Sequence, residues 1–166
     1  MNIRSLGSLL ILGAVLHLGT LAPVQAKWAW ASAVDLATDS NLIVEATLTD
    51  LHEFTKNGTD FAVGHLRVAS IIFGEVSTPR DLELRWENRS NVGCPRVNHS
   101  SMLHKQAIWL LNVGLDGSVT ANYPRRAVAL GDGTTVARFV EELRQAKGAQ
   151  AQDARVVRLL RFMEVL

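Results

Sequence analysis

The chain has 166 residues, of which 48% are hydrophobic and 20% are charged, and its formal net charge is +1. So small a net charge gives no long-range field to gather nucleic acid or an anionic membrane, and neither is expected as a partner. The single cysteine, Cys94, excludes an intrachain disulfide, so the fold must depend on an apolar core.

The N-terminal segment has the three parts of a secretory signal peptide. Arg4 supplies the positive charge, residues 6–21 are mostly apolar, and Val24-Gln25-Ala26 has small residues at the two positions that a signal peptidase reads. We predict cleavage between Ala26 and Lys27 and a secreted or periplasmic location. Loss of Arg4 leaves 16 basic and 16 acidic residues, so the mature chain has no formal net charge.

The alternative for this segment is an uncleaved membrane anchor. A spanning helix needs roughly 20 apolar residues, and this run is shorter and ends at Pro23. We therefore expect no stable membrane insertion after cleavage. The predicted organisation is a signal peptide over residues 1–26, a β-barrel domain over residues 27–131 and a helical C-terminal extension over residues 132–166.

Residues 42–73 have the pattern of two strands joined as a hairpin. Apolar side chains alternate with mostly polar ones from Leu42 to Thr49, and a second strand is predicted from Phe61 to about Phe73. Asn57-Gly58 lies between them. This pair is typical of a type I′ turn, because both central residues of that turn need positive φ.

The register of this hairpin predicts an irregularity. A two-residue turn places Phe54 opposite Phe61, and the same register sets Leu48 against Arg67, so that an apolar residue opposes a charged one. A slip of one residue removes the mismatch. We therefore predict a β-bulge or a longer irregular tip, which also curves the strands as closure of a barrel requires.

The later strands are predicted at residues 82–86, 107–113, 119–123 and 127–130. The second of these is an almost continuous apolar run, which is typical of a strand buried on both faces. Asp116-Gly117 indicates a second hairpin, and Trp86 and Trp109 are predicted core residues. Five or six antiparallel strands without alternating helices favour a small barrel or a sandwich, and we prefer a mainly β, OB-like barrel.

Beyond Gly131 the pattern becomes helical. Apolar residues at helical spacing over 136–143 predict a helix that Thr134 or Thr135 caps and that frays near Gly148. Asp153 is the predicted cap of a second helix, which has one apolar stripe. Residues 149–152 between the two helices are predicted to be a short polar connector.

The strand order and the apolar pattern of residues 35–130 resemble those of a known group of proteins. The matching stretches are residues 41–48, 66–68, 72–74, 82–86, 93–97 and 108–111. They resemble a group of small secreted bacterial proteins with a TIMP-like OB barrel. Metalloproteinase inhibition by the eukaryotic relatives depends on an N-terminal cysteine that reaches the catalytic zinc. A mature chain that begins with Lys27 lacks it, so the resemblance implies a barrel without this activity.

Catalytic motifs are absent from the sequence, which has no Gly-x-Ser-x-Gly elbow, no His-Glu-x-x-His pair and no P-loop. Gly131-Asp132-Gly133 stands where a dinucleotide fingerprint would, but Val136 replaces its third glycine and no βαβ unit follows. We interpret it as a helix-entry turn, and Glu141-Glu142 as solvated surface. The sequence predicts neither an enzyme nor a cofactor.

Cys94, His99 and His104 follow one another at five-residue intervals. Thiolate and imidazole are ligands of zinc and copper, and His52 or His65 could supply a fourth ligand from the first hairpin. The spacing matches no established site pattern, so no metal ion is predicted. Instead we favour a packed Cys94, because free cysteine is among the most buried residue types. Metal ligation and an intermolecular disulfide stay open as alternatives.

Together these patterns predict an exported, non-enzymatic binding or interaction module whose partner is a protein or a small ligand. The loop before the buried strand is the expected binding surface, since function concentrates in loops on a rigid barrel. A small metal-handling or redox-sensitive protein centred on Cys94 is the second hypothesis. The third is a weakly membrane-associated accessory protein that uses a basic ridge of Arg155, Arg158 and Arg161, although an ordinary solvated face is favoured there.

Overall fold

The computed structural model describes residues 31–76, 80–89 and 97–166. Within these ranges the strands are β1 (Leu42–Lys56), β2 (Thr59–Phe73), β3 (Asp81–Arg89), β4 (Gln106–Val113), β5 (Val119–Thr120) and β6 (Ala127–Ala129). The helices are α1 (Ala33–Thr38), α2 (Gly133–Arg144), α3 (Ala149–Gln152) and α4 (Ala154–Met163), with single 3₁₀ turns at Ser100–Met102 and Pro124–Arg126. The predicted cleavage site at Ala26 and Lys27 and the candidate metal ligand Cys94 lie outside the described residues.

Five strands close a ring in the order β1, β2, β3, β5, β4, because β1 pairs with both β2 and β4. The ring, with helices after it, confirms the predicted mainly β, OB-like barrel. The prediction that all strands pair antiparallel was wrong, however, because β3 and β5 pair in parallel through Leu84 and Val119. Strand β6 lies outside the ring and pairs with β4.

The first hairpin has the predicted turn. Asn57 and Gly58 have φ angles of 52° and 74°, the positive values that a type I′ turn requires. Phe54 accordingly lies opposite Phe61, and this is the third residue pair counted from the turn.

The predicted bulge is also confirmed. The pairing register shifts by one residue between Leu48 and Asp50, so that Leu48 lies opposite Leu66 rather than Arg67. The extra residue is Thr49. Both leucines are fully buried in the barrel, which is the apolar match that the slip was expected to restore.

Strand β4 separates two apolar cores. Ala107, Trp109 and Leu111 point into the barrel, where Trp86 and Trp109 are buried as predicted. Ile108 and Leu110 point outward, into a second core covered by α1, α2 and α4. The prediction of a strand buried on both faces is therefore confirmed.

Helix α1 is a six-residue helix that the sequence analysis did not predict. It begins with a capping box: Ser32 Oγ accepts a hydrogen bond from the Asp35 N–H, and the Asp35 carboxylate accepts one from the Ser32 N–H, both at 3.1 Å. Its buried residues Val34 and Leu36 lie in the second core, so the start of the described chain packs against its last helices.

The C-terminal helices differ from the prediction at their ends. Asp132 caps α2 rather than Thr134 or Thr135, because its Oδ1 accepts the Thr135 N–H at 3.1 Å. Asp153 caps α4 as predicted, and the polar connector forms the single turn α3. Among the residues that the structure describes, no helix is long and apolar enough to cross a membrane.

Glu142 on α2 is not the solvated surface residue that was expected. Its carboxylate accepts hydrogen bonds from Arg125 at 2.8 Å and from the Ala33 N–H at 2.8 Å, and its side chain is 25% exposed. Arg125 also donates to the carbonyl oxygen of Ala31 at 2.9 Å. This ion pair joins the start of the described chain to α2, whereas the neighbouring Glu141 is exposed.

Candidate binding cleft

A cleft of about 520 Å³ lies on the wall of the barrel, against the outer side of β2 and β3. In this part of the sheet Phe61 pairs with Glu87, and Val63 pairs with Arg85. The buried Trp86 lies between the two β3 residues in sequence and points into the barrel. Because successive side chains of a strand alternate between faces, Phe61, Val63, Arg85 and Glu87 share the outer face.

Aromatic side chains form a row across the hairpin beside this cleft. The Phe54 and Phe61 rings are stacked with centroids 5.6 Å apart and an interplanar angle of 18°. The His52 ring is also stacked on Phe54, with centroids 5.8 Å apart and an interplanar angle of 26°. Phe54 is 40% exposed, and both phenylalanines line the cleft. We call His52, Phe54 and Phe61 the aromatic row.

The loop between β4 and β5 forms the opposite wall and is held by its own hydrogen bonds. The Gly114 N–H donates to the Ser118 carbonyl at 2.8 Å. Asp116 Oδ1 accepts from the Ser118 N–H at 3.0 Å and from Ser118 Oγ at 2.7 Å, and these bonds lower the pKa of Asp116. A Cβ on Gly114 would lie 2.6 Å from Asp116 Oδ1, so a larger residue there would displace the Asp116 carboxylate.

Polar groups of several kinds surround the cleft. Two cations, Lys56 and Arg85, and two anions, Glu87 and Asp116, line it together with the Ser118 and Thr120 hydroxyls and the Asn122 amide. The Asn122 side-chain oxygen accepts the Glu87 N–H at 3.2 Å, as a carbonyl of a further strand would. Since the two positive and two negative side chains balance, the cleft has no formal charge.

His99, one of the candidate metal ligands that the sequence offered, is a core residue. Its ring meets Trp86 and Trp109 edge to face, at centroid distances of 5.1 and 5.4 Å, and its Nε2 lies 2.9 Å from the Ala121 carbonyl oxygen. Burial lowers the pKa of His99, and the nearby charge of Arg126 lowers it further. The imidazole is therefore neutral, and its Nε2–H donates to the Ala121 carbonyl. A metal ion at Nε2 would have to replace this proton and its hydrogen bond.

The other candidate histidines, His104, His65 and His52, are on the surface. His104 is exposed with φ of 61°, and its N–H donates to the Leu48 carbonyl at 2.8 Å. His65 Nδ1 lies 2.8 Å from Asp50, which raises the pKa of His65, and His52 belongs to the aromatic row. The described ranges contain no group of three residues that could hold a metal ion. A metal-handling or redox role centred on Cys94 stays the alternative hypothesis that it was in the sequence analysis.

The basic ridge of α4 is largely engaged within the protein. The Arg155 guanidinium pairs with Asp153 at 2.6 Å, and this contact lowers the pKa of Asp153 to about 2. The Arg158 guanidinium lies 5.8 Å from the centre of the Phe73 ring. These partners favour an ordinary helix surface over a membrane-docking face.

The cleft was not predicted from the sequence, from which binding was expected at the loop before β4. Residues 97–104 of that loop are described and do not line the cleft. The signal that was available is the pairing of Phe54 with Phe61 on a face that the bulge turns outward. Comparison with known protein families and with curated proteins finds no match to this chain. Function has to be inferred from the chemistry of the cleft.

Proposed function

We propose that this protein is an exported, non-enzymatic binding module that holds its ligand in the cleft on β2 and β3. The observation that carries the proposal is the aromatic row, which is stacked and partly exposed beside a cleft between two loops. In OB barrels the face of the second and third strands, with the loops that follow strands one and four, is where ligands bind. The cleft occupies that face.

The polar groups of the cleft support recognition rather than catalysis. Asp116 is ionised and held by two hydrogen bonds from Ser118, and the lowered pKa of its carboxyl makes it a poor general acid or base near neutral pH. Fixed donors and acceptors of this kind orient a ligand.

Export is supported by the signal-like N-terminal segment over residues 1–26. The five-stranded ring is also the barrel that a resemblance to TIMP-like secreted proteins implies, so that relationship is part of the proposal.

Nuclear magnetic resonance of the mature chain tests the binding site. We would add a panel of oligosaccharides, short peptides and small organic acids to ¹⁵N-labelled protein that begins at Lys27. At least one compound should shift the amide signals of Val63, Arg85 and Ser118 in a saturable way and leave those of α2 unchanged. Saturable shifts confined to another surface, or none for any compound, would contradict the proposal.

A further inference from the structure

We propose that the edge of β1 that faces away from β2 joins two copies of this chain, antiparallel and side by side, into a two-fold dimer. The edge consists of residues 50–56, which we call the open edge. This role is separate from ligand binding and does not depend on what the cleft holds. It follows from the backbone groups that the open edge leaves unpaired and from the charges that a second copy brings against it.

The open edge has a neighbouring strand on one side only. Strand β1 pairs with β2 as far as the turn, but with β4 only over residues 42–47. The Leu48 carbonyl still accepts the His104 N–H, and beyond it no residue of the described chain hydrogen-bonds to the side that faces away from β2. Every residue of the open edge except Leu51 is exposed. An unpaired edge of this length is a template for another strand.

The turn determines which backbone groups point to the open side. The residue pair that flanks a two-residue type I′ turn exchanges two hydrogen bonds, and such pairs alternate along a hairpin with pairs that exchange none. Lys56 is such a flanking residue, so the even-numbered residues of the open edge bond to β2. The N–H and C=O groups of Leu51, Glu53 and Thr55 point away from β2 and supply three donors and three acceptors.

One register of a two-fold pair uses all of these groups. A two-fold axis at Glu53 places this residue opposite its own copy, and Leu51 opposite Thr55 of the second copy. Each of these pairs is hydrogen-bonded, since both members point their backbone groups at the other strand. Moving the axis by one residue along the strand leaves either Leu51 or Thr55 outside the set of pairs.

In the same register the outer face of the sheet brings opposite charges together. Asp50 lies opposite Lys56 of the second copy, and the two-fold axis repeats this ion pair. The Asp50 side chain is 61% exposed although it contacts His65, so it is open to a second cation. His52 lies opposite Phe54 of the second copy, and the aromatic row thus continues across the dimer. Opposite charges and aromatic pairs directly across two strands stabilise an antiparallel sheet.

Glu53 limits the strength of the dimer. Its exposed side chain lies opposite its own copy at the axis, and like charges directly opposite each other destabilise a sheet. Charged residues on an edge strand also restrict unspecific pairing with other chains. The dimer is therefore expected to be reversible and to become stronger when this charge is removed.

The two-fold symmetry determines the size of the assembly and the orientation of the clefts. Both copies use the same edge, so pairing is complete at two chains. Because the axis is perpendicular to the sheet, the two outer faces lie on the same side. The two clefts therefore open in the same direction, on either side of the joined edges.

Sedimentation equilibrium of the mature chain over a range of protein concentrations measures the dimer. The wild type should shift reversibly from the monomer mass towards twice that mass as the concentration rises, and Glu53→Gln should lower the dissociation constant. Lys56→Glu should raise it roughly tenfold, because Asp50 then faces a like charge in two places. Exchange of the two charges in Asp50→Lys/Lys56→Glu should restore the dimer. Lys147→Glu is the matched control, since this exposed lysine lies beyond α2, and it should leave the dissociation constant unchanged.

Hydrogen exchange of the wild type tests the register without any substitution. The amides of Leu51, Glu53 and Thr55 should exchange more slowly at high protein concentration than at low concentration, because they become bonded only in the dimer. Thermal melting should show that the charge variants are folded, and if one of them is not, amide protection decides.

A wild type that stays monomeric at every concentration would overturn the proposal, whether or not the cleft binds a ligand. So would a dimer that Lys56→Glu and Lys147→Glu weaken equally, since the open edge would then not form the interface. A dimer that leaves the three amides unprotected, or assemblies that grow beyond two chains, would contradict the two-fold register.

Discussion

His99 is a neutral imidazole enclosed by two tryptophans, and this burial gives the barrel a dependence on pH. In the folded protein burial holds the pKa of His99 below its usual value of 6.5. The unfolded chain therefore binds more protons between that value and the folded pKa, and the free energy of unfolding falls as pH decreases through this window. Above pH 6.5 the contribution of the neutral imidazole is complete.

His99→Gln should reduce this pH dependence, because glutamine can keep a donor near the Ala121 carbonyl and does not titrate. Urea unfolding of both proteins at pH values from about 8 to about 5 measures it. The wild type should lose stability over the lower half of this range more steeply than the variant. His65→Gln is the control, since the pKa of His65 is shifted upward by Asp50 and its replacement should not flatten the curve. Parallel curves for the wild type and His99→Gln would refute the assignment.

Cys94 lies outside the described residues, and its three predicted states differ in reactivity. A packed thiol should react slowly with a thiol reagent in the native protein and fast in denaturant. A metal-bound thiolate would be released by a chelator without unfolding, and an exposed thiol in an oxidising compartment would form a disulfide dimer. We expect the first result. Rapid native labelling, or labelling that a chelator accelerates, would decide for one of the other two states.

At the scale of the elements, the ion pair of Arg125 and Glu142 fastens the start of the described chain, at Ala31 and Ala33, to α2. Both side chains are mostly buried, at 20% and 25% exposed, so the pair is only partly screened by water. Glu142→Gln should lower the free energy of unfolding by about 1.5–3 kcal/mol, the usual range for hydrogen bonds to a charged group. Thermal or urea unfolding measures this, with the exposed Glu141→Gln as the control. Equal losses in both variants would show that the pair contributes nothing specific.

The hairpin shows how far a sequence can predict an element and where prediction stops. The bulge at Thr49 was predictable because alternation along β1 and β2 conflicts with the register set by the Asn57-Gly58 turn. Helix α1 was missed because six residues are too few for a helical period, although the Ser32 capping box was a usable signal. The parallel pairing of β3 with β5 involves two residue pairs brought together by closure of the barrel, and nothing local specifies it.

The cleft was harder to predict than the fold for a related reason. Its walls come from the first hairpin, from β3 and from the loop after β4, which are far apart in sequence. Phe54 and Phe61 could be paired by counting from the turn, but Asp116 and Asn122 reach the same cleft only after the ring closes. A local pattern therefore predicts the aromatic pair but not the rim.

At the scale of the whole molecule, processing at the predicted site should leave Lys27 at the N-terminus. The described chain is anchored from Ala31, whose N–H donates to the Tyr123 hydroxyl at 2.9 Å. Intact-mass and N-terminal peptide analysis of the exported protein measures the cleavage, with an Ala26→Arg variant as the control that should block it. Recovery of exported wild-type protein that still contains Asn2 would contradict the prediction.

Because β4 contributes to a core on each of its faces, the outer core can form only when helices from both ends of the described chain are present. The outer core that covers Ile108 and Leu110 needs α1 from the beginning of the described chain and α4 from its last residues. A chain that emerges gradually from a ribosome or a membrane pore thus exposes one side of β4 until α4 is free to pack. A polypeptide cut short before α4 would hold a barrel with one flank uncovered.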